Sequence, residues 1–334
     1  MDKVLEILSQ INRHIAKIQE LYGKTKIKGD FSIVFRGHSD KSFMLLPTLF
    51  RKDENGKFIY QVGKEHVYIN EYIKKFPEFS SQPKINVLAD MQHYGLPTRL
   101  LDWTTNPLIA LYFACSGKDT IDKDGSVLFG IKDFHLSPQE NLDIAEFISD
   151  LASYDRQSFN ANIALQDSNL DYRNLTDLVV LYVSNFDRIS SKHGALRIPD
   201  SDPIKPLLEI NENSFSILDK CQAYLRDEKE APQFVEFLRV INSPYCFINA
   251  PAINQRVIAQ QGLFQIFAGK HYDGYDNKSY KISLGLEYVI DESEQVIISS
   301  SDKADILYVL DKRFNINAST LYLKDKQELI NEFK

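Results

Sequence analysis

The sequence predicts an α+β fold, built on a mixed and mostly antiparallel sheet with helical elaborations. Strand-like and helical patterns are interspersed along the 334 residues without regular alternation, which argues against a doubly wound parallel sheet. The composition, 43% hydrophobic and 25% charged, is that of a folded chain with a sizeable core. The length allows two domains, or one large domain with elaborations.

The first 30 residues are predicted to form an N-terminal unit, 1–30, of one amphipathic helix and a basic turn. Apolar residues recur at helical spacing from Val4 to Tyr22 and are interrupted throughout by charged and polar residues. This pattern is not that of a secretion signal, and no apolar run approaches the roughly 18 residues that span a bilayer. The cysteines are odd in number and far apart, so they predict neither a disulfide scaffold nor a CxxC metal site. We therefore expect a cytoplasmic protein without a membrane partner.

Residues 31–131 are predicted to contain three strands and three helices. Pro77 closes a helix, Gly95 is a natural C-cap, and Pro107 opens a helix that is apolar on every face. An all-apolar helix is enclosed by other elements, so we expect its residues to be buried. The residues concerned are Leu108, Ala110, Leu111, Phe113 and Ala114. In chain order the elements are strand 31–35, helices 61–76 and 87–94, strand 98–103, helix 108–115 and strand 126–131.

The second half of the chain gives a weaker pattern. Residues 178–183 fit either a buried strand or the end of a helix, and 185–203 read as a long loop. The predicted helices are 138–165, 215–226, 303–313 and 325–334, and strand-like runs occur in 233–250, 263–267 and 279–300. We therefore predict a helical insertion at about 135–240 and a C-terminal helix end at 326–334.

Charge and missing motifs exclude several classes of protein. Lys and Arg number 39 and Asp and Glu 46, so the formal net charge is -7. Such a chain is a poor general ligand for nucleic acid or anionic membrane, although a local basic cleft remains compatible with it. The sequence contains no glycine-rich phosphate loop, no GxSxG and no HExxH. On these grounds we expect no metal site, and we keep a nucleic-acid partner only as the less favoured alternative.

The first candidate segment follows the strand at 31–35. Arg36 at a strand end can present its guanidinium to a phosphate or pyrophosphate, and Gly37 beside it permits close approach of a ligand. His38 and, further on, Arg51 add polar groups. The alternative is that Arg36 pairs with a buried carboxylate and only stabilises the fold. The pattern leaves both interpretations open.

The second candidate segment, 91–107, carries an unusual density of polar and ring side chains. His93 is suited to acid/base chemistry or to a ribose hydrogen bond, and Tyr94 to stacking on a ring. The alternatives are that Arg99 and Asp102 form an internal salt bridge and that Trp103 belongs to the core, which we favour for Trp103. We expect the polar residues of both segments to surround one pocket, namely Arg36, His38, His93, Tyr94, Arg99 and Asp102.

The third candidate segment, 254–264, is predicted to be a helix capped by Gly262 that leads into a strand. Arg256 and Gln260 lie one helical turn apart on the same face. Taken alone, this segment would be interpreted as ordinary surface.

Together the three segments resemble the FRG domain family, named for the Phe-Arg-Gly tripeptide found here at 35–37. The resemblance continues through Gln92 to Gly95, through the Thr-Arg-Leu-Leu-Asp-Trp-Thr run at 98–104 and into 110–114. It extends to Arg256, Gln261, Gly262 and Phe264, and to the tail at 315–322. It implies that residues 31–325 form the FRG domain. The family is prokaryotic and is often met near antiviral genes, so the resemblance implies a role in phage defence or toxicity.

A more distant similarity links the chain to mono-ADP-ribosyltransferases. Their first motif is an arginine on a strand, here Arg36. Their second is a short strand followed by an alanine-x-x-phenylalanine-alanine helix, here Asp102 to Thr104 followed by 110–114. Their third supplies a catalytic glutamate, whereas 254–262 contains none, so that Gln255, Gln260 or Gln261 would have to stand in. A neutral amide cannot supply the negative charge that stabilises an oxocarbenium-like state.

The resemblances imply an effector that handles NAD or ADP-ribose, either a transferase or a glycohydrolase. The alternatives are a non-catalytic module that senses a nucleotide or binds a partner, and a nucleic-acid-directed effector. NAD would be a substrate rather than a tightly bound cofactor, and the partner is a nucleotide-like small molecule. The implied catalytic residues are His93, Asp102 and Gln261. The implied ligand-binding residues are Arg36, Gly37, His38, Arg51, Gln92, Tyr94, Thr98, Arg99, Thr104 and Arg256.

Overall fold

The structure is a computed structural model that describes residues 2–24, 31–61, 64–133, 142, 145, 149, 245–250, 255–267 and 295–322. Helices and a single antiparallel sheet make up these residues, which confirms the predicted α+β class. The elements predicted for 178–183, 185–203, 215–226 and 325–334 lie outside the described residues, as does nearly all of 138–165. The proposed domain boundaries therefore stay predictions.

Six strands and seven α-helices form the described part of the chain. The strands are β1 Phe31–His38, β2 Leu100–Thr104, β3 Gly125–Asp133, β4 Tyr245–Asn249, β5 Gly262–Phe267 and β6 Val296–Ile298. The helices are α1 Asp2–Lys24, α2 Glu65–Lys75, α3 Lys84–His93, α4 Pro107–Cys115, α5 Gln255–Ala259, α6 Lys303–Phe314 and α7 Ala318–Leu321.

The sheet has the strand order β4-β5-β2-β1-β3-β6, and each neighbouring pair is antiparallel. β1 and β3 pair along their whole length, from Phe31 opposite Asp133 to His38 opposite Ser126. β1 and β2, the two central strands, pair at one position only, where Phe35 lies opposite Thr104. No other position pairs β1 with β2 in the described residues, and residues of both strands line a cleft.

One face of the sheet packs against α1, α4 and α6. The core there joins Ile11 of α1 and Ile306 of α6 to Phe35 and Phe129 of the sheet. In α4, Ala110, Leu111 and Ala114 are fully buried, whereas Leu108 and Phe113 are partly buried. The prediction of complete burial is therefore too strong for these two, and Phe113 is partly exposed because it reaches the cleft.

The other face packs against the segment around the 3-10 turn Thr48–Phe50. Leu49 and Phe50 contact a cluster that includes Val34 and Trp103. The indole N–H of Trp103 donates to Oε1 of Gln265 at 3.0 Å, so the buried ring also satisfies its polar atom. The interpretation of Trp103 as a core residue is confirmed.

The turn between α5 and β5 differs from the prediction. The residue in the left-handed region is Gln261, with φ 46°, and Gly262 is already the first residue of β5. The Gln261 carbonyl accepts the backbone N–H of Thr105 at 3.1 Å, so a tertiary hydrogen bond stabilises the turn. The predicted glycine cap was therefore wrong by one residue, whereas Gly95 does have the left-handed φ of 77° expected of a C-cap.

Among the described residues, no helix combines the length and the apolar character needed to cross a membrane.

Candidate functional site

A cleft of about 370 Å³ is lined by residues of both β1 and β2. The end of β1, the C-terminal end of α3, β2, α5 and the residue that follows α7 supply its walls. Its charged and ring-bearing polar side chains are Arg36, His38, Arg51, His93, Asp102, Arg256 and Tyr322. Apolar surface comes from Phe35, Phe43, Phe113, Phe264 and Trp103. Residues from all three candidate segments therefore meet at one place.

The Arg36 guanidinium is set between two uncharged acceptors. Its Nε donates to Nε2 of His38 at 3.0 Å, and one terminal nitrogen donates to the backbone carbonyl of Asp102. Arg36 forms no ion pair within the described part of the chain, so the alternative in which it pairs with a buried carboxylate is wrong there. Burial lowers its pKa to about 10, against the opposing effect of the Asp102 charge. The side chain is still protonated at neutral pH and lines the cleft without a direct ion pair in the described residues.

His38 acts on the cleft through Arg36. It lies on the same side of β1 as Arg36, two residues away, and is only 4% exposed. Burial and the nearby Arg36 charge hold its pKa well below the usual value, so the imidazole is neutral. A neutral ring can accept the Arg36 Nε–H, whereas a protonated ring has no acceptor. The predicted ligand-binding residue is thus first a positioning residue for the guanidinium.

Gly37 lies beneath α4. A Cβ atom at this position would be 2.0 Å from the Ala110 carbonyl oxygen and 2.6 Å from the Ala114 nitrogen. Such distances are impossible, so the absence of a side chain is what lets the helix cross β1. Gly37 also lines the cleft, so its expected role in the approach of a ligand stays a prediction, and the close approach that the structure shows is that of a helix backbone.

Asp102 is held by the Gln92 amide. Nε2 of Gln92 donates to Oδ1 of Asp102 at 2.9 Å, while Oε1 of Gln92 accepts the hydroxyl of Thr98. The buried Thr98 thus fixes which end of the amide faces the carboxylate. Thr98 does not line the cleft, in contrast to the prediction, and acts on it through Gln92. Asp102 is the one acidic side chain among the described residues that line the cleft.

His93 lines the cleft, whereas Tyr94 turns away from it. The two rings meet edge to face with centroids 4.8 Å apart, yet Tyr94 is 57% exposed and lies outside the cleft. Successive residues at the end of α3 point about 100° apart, so one sequence motif places the two rings on different surfaces. The prediction that Tyr94 stacks on a ligand in this pocket is wrong for this structure.

Arg99 is a structural residue and does not reach the cleft. It forms a bidentate pair with Glu65, in which Nε and Oε1 are 2.9 Å apart, and both side chains are 2% exposed. A terminal nitrogen also donates to the Phe267 carbonyl at 2.7 Å. The expected ligand role of Arg99 and the alternative pairing with Asp102 are both wrong. Glu65 was not singled out because it lies 34 residues away, in a helix with no other notable residue.

The segment before β5 contributes Gln260 instead of the predicted Gln261. Gln261 is exposed and does not line the cleft, because the left-handed turn points it outward. Gln260 does line the cleft, and its Nε2 donates to the Leu321 carbonyl at 3.0 Å. Its own carbonyl accepts the hydroxyl of Thr104 at 2.8 Å, and Thr104 also lines the cleft. Gln261 is thus removed from the candidate catalytic residues.

The loop after β1 is fixed by a buried lysine that the sequence did not reveal. Nζ of Lys303 donates to the carbonyls of Ser39 at 2.7 Å and Thr120 at 2.8 Å. Burial lowers its pKa, and the nearby carboxylates of Asp40 and Asp124 oppose this effect. Because Ser39 lines the cleft, α6 supports the cleft wall from behind.

Arginine charge dominates the cleft. Arg36, Arg51 and Arg256 face a single carboxylate, that of Asp102, on a chain whose formal net charge is negative. Arg51 donates to the Leu46 carbonyl at 3.2 Å and forms no ion pair in the described residues. No group of three or more His, Cys, Asp or Glu side chains suited to a metal ion occurs among the described residues. The site therefore fits an anionic ligand that also carries rings.

No curated protein and no solved structure matches the chain. A family model described as the FRG domain matches residues 32–123. The matched residues include β1, β2 and α4, and with them Arg36, Gln92, His93 and Asp102 of the cleft. Residues 32–123 of this chain are thus similar to the FRG domain family.

Proposed function

We propose that the cleft binds NAD or ADP-ribose and that the protein handles this ligand as a transferase or a glycohydrolase. The observation that carries the proposal is Arg36, a guanidinium held by two neutral acceptors, without an ion pair in the described residues, at the opening of a ring-lined cleft. A planar fork of this kind suits a pyrophosphate, which accepts two parallel hydrogen bonds.

The size and lining of the cleft agree with a nucleotide-like ligand. Its volume of about 370 Å³ falls within the range of roughly 300–1,000 Å³ typical of small-molecule sites. Arg51 adds a second positive charge on the Arg36 side, and Phe43 and His93 add rings. The positive cleft also explains how an acidic chain would attract an anion, since a local field outweighs the net charge.

Asp102 is the group suited to the chemical step. In that step the glycosidic carbon–nitrogen bond breaks, and its electron pair leaves with nicotinamide. Water or an acceptor nucleophile then bonds to the ribose carbon and loses a proton. A carboxylate stabilises the positive charge that develops on the ribose, and Gln92 holds Asp102 in place. The similarity to mono-ADP-ribosyltransferases supports this proposal, with the difference that their glutamate is missing from 254–262.

A second candidate function is a non-catalytic module that senses the same ligand or relays it to a partner protein. The observation in its favour is that 254–262 contains no glutamate and that Gln260 is the glutamine of this segment that lines the cleft. Its amide nitrogen is occupied by the Leu321 carbonyl, so it supports the cleft wall. In either form the role would be that of an effector in prokaryotic defence or toxicity.

The test is incubation of the full chain with NAD, following nicotinamide release by chromatography and binding by calorimetry. We expect NAD to bind, Arg36→Lys to weaken binding at least about tenfold, and Asp102→Asn to abolish any nicotinamide release while leaving binding largely intact. Arg313→Lys, at an exposed position at the end of α6, is the matched control.

Binding without release would select the sensing module. Absence of NAD and ADP-ribose binding in the parent protein would reject both functions. A parent that binds single-stranded RNA or DNA, and no nucleotide, would favour a nucleic-acid-directed effector.

A further inference from the structure

The cleft has a wall that lies far beyond residues 32–123. Arg256 in α5 and Tyr322, which follows α7, both line it. The hydrogen bond from Gln260 to the Leu321 carbonyl joins the two segments, 61 residues apart. A capping box between Asn317 and Thr320 fixes the start of α7. The late part of the chain is thus attached to the cleft by specific contacts.

Arg256 and Tyr322 form a stacked pair. The guanidinium carbon of Arg256 lies 4.7 Å from the centre of the Tyr322 ring, within the range of a cation–π contact. The Tyr322 ring in turn meets Phe113 edge to face, with centroids 6.2 Å apart. The ring is therefore held between the arginine and α4 and offers the guanidinium a fixed surface.

Stacking orders a guanidinium without occupying its hydrogen bonds. Its N–H groups point outward in the plane of the group, whereas the ring contacts its face. The Arg256 guanidinium forms no hydrogen bond or ion pair with any residue that the structure describes. Its donors are therefore available to a ligand, and less side-chain freedom is lost when they bind one.

We propose that Arg256 is a second anion-binding fork of this cleft and that Tyr322 is its positioning residue. Arg36 and Arg256 approach the cleft from different elements, so together they select a ligand with two adjacent phosphoryl groups over a ligand with one. The identity of the nucleotide rests on the proposed function, whereas the preference for a pyrophosphate unit does not.

The experiment is calorimetric titration of the full chain with inorganic pyrophosphate and with inorganic phosphate. We expect pyrophosphate to bind more tightly than phosphate. Arg256→Ala is expected to weaken pyrophosphate binding about tenfold and to reduce this preference. Tyr322→Leu should act in the same direction by about three- to tenfold, whereas Tyr322→Phe, which keeps the ring, should bind as the parent does. Tyr308→Leu, at an exposed tyrosine of α6, is the control.

A double variant separates positioning from general damage. If Tyr322 acts through Arg256, Tyr322→Leu adds no loss to Arg256→Ala. Arg256→Lys tests the fork without touching Tyr322 and should also lose affinity, because an ammonium makes neither the stack nor the paired contacts.

Pyrophosphate binding that is absent, or equal in Arg256→Ala and the parent, would overturn the proposal. A loss in Tyr322→Phe as large as in Tyr322→Leu would overturn the positioning role. If the expected losses occur for pyrophosphate and NAD does not bind, the proposed function fails and the second fork stands. If NAD binding depends on Arg36 and not on Arg256, the proposed function stands and the second fork fails.

Discussion

Arg36 lies in β1, and Arg99 directly precedes the neighbouring strand β2. Their surroundings differ in burial and in the charge of their partners. Arg99 is enclosed, with its fork matched to the Glu65 carboxylate and a further donor on the Phe267 carbonyl. Arg36 has an imidazole and a backbone carbonyl as its partners and opens onto a cleft. The acceptors orient both side chains, but only a carboxylate neutralises the charge.

The difference teaches how to separate a structural arginine from a ligand-binding one. An arginine on neutral acceptors keeps its charge and is held in one orientation, which is what recognition of an anion requires. The charge of an arginine that pairs with a buried carboxylate is neutralised within the fold, so it is not available to a ligand. The local sequence does not distinguish the two arginines, since Arg36 follows the apolar residues of a strand and Arg99 precedes those of another.

The largest effect is expected from separating the Arg99–Glu65 pair. Arg99→Ala leaves a buried carboxylate without its partner, which should lower the free energy of unfolding by about 3–5 kcal/mol. Replacing both partners, as in Arg99→Met with Glu65→Leu, should recover most of this loss, because no buried charge remains. Urea unfolding measures both. Ligand affinity per folded molecule should be unchanged, and a folded Arg99→Ala protein that has lost only affinity would contradict the comparison.

The next effect is expected at Arg36 and should appear in binding. If the cleft binds the proposed nucleotide, Arg36→Ala should weaken that binding by about 1.5–3 kcal/mol, the range for hydrogen bonds to a charged group. The free energy of unfolding should change little, because the substitution removes a partly desolvated charge as well as the hydrogen bonds that this charge makes. Arg36→Lys should not rescue binding. Calorimetry and urea unfolding on the same samples decide the outcome, and marked instability with normal affinity would make Arg36 a structural residue like Arg99.

A smaller effect, set by pH, is expected from His38. Its pKa in the folded protein is below the value of 6.5 expected in the unfolded chain, so the unfolded state binds more protons in acid. The stability from neutral His38 is therefore complete above about pH 6.5 and is lost as the pH falls towards the folded-state pKa. The slope reaches about 1.4 kcal/mol per pH unit.

His38→Gln provides the control for that slope, since it keeps a polar group beside Arg36 and does not titrate. The variant should show a shallower decrease in the free energy of unfolding than the parent as the pH falls below about 6.5. Identical pH profiles for the variant and the parent would show that His38 is not the group responsible.

The smallest effect is expected at Tyr94, beside His93 in the sequence and outside the cleft. Tyr94→Ala should change unfolding and ligand affinity by less than about 0.5 kcal/mol, as is usual for exposed positions. His93→Ala is the matched comparison and should weaken binding. A tenfold loss of affinity in Tyr94→Ala would mean that the ligand extends beyond the cleft onto the α3 surface.

The sequence predicted those features that depend on local chemistry. The all-apolar pattern after Pro107 predicted a buried helix, Gly95 a left-handed cap, and Arg36 with Asp102 a common site. Each of these features depends on residues close in sequence or on polar side chains that are rarely buried in a hydrophobic core.

Features that depend on distant partners could not be predicted in this way. Glu65 as the partner of Arg99, Lys303 behind the cleft wall and Tyr322 beneath Arg256 come together only in the folded chain. The prediction named Gln261 as the cleft residue instead of Gln260. It was wrong because the left-handed turn residue is Gln261 and not the neighbouring Gly262. A propensity rule gives the wrong residue when a tertiary hydrogen bond stabilises the turn.

The single pairing position between β1 and β2 has a mechanical consequence. The sheet consists of two three-stranded ribbons, β4-β5-β2 and β1-β3-β6, joined at the rung formed by Phe35 and Thr104. Arg36 projects from one ribbon, and Arg256 lies just before a strand of the other. A molecule bound by both arginines would link the two ribbons across the β1–β2 boundary. Occupancy of the cleft by such a molecule is therefore expected to restrict movement of the two ribbons relative to each other.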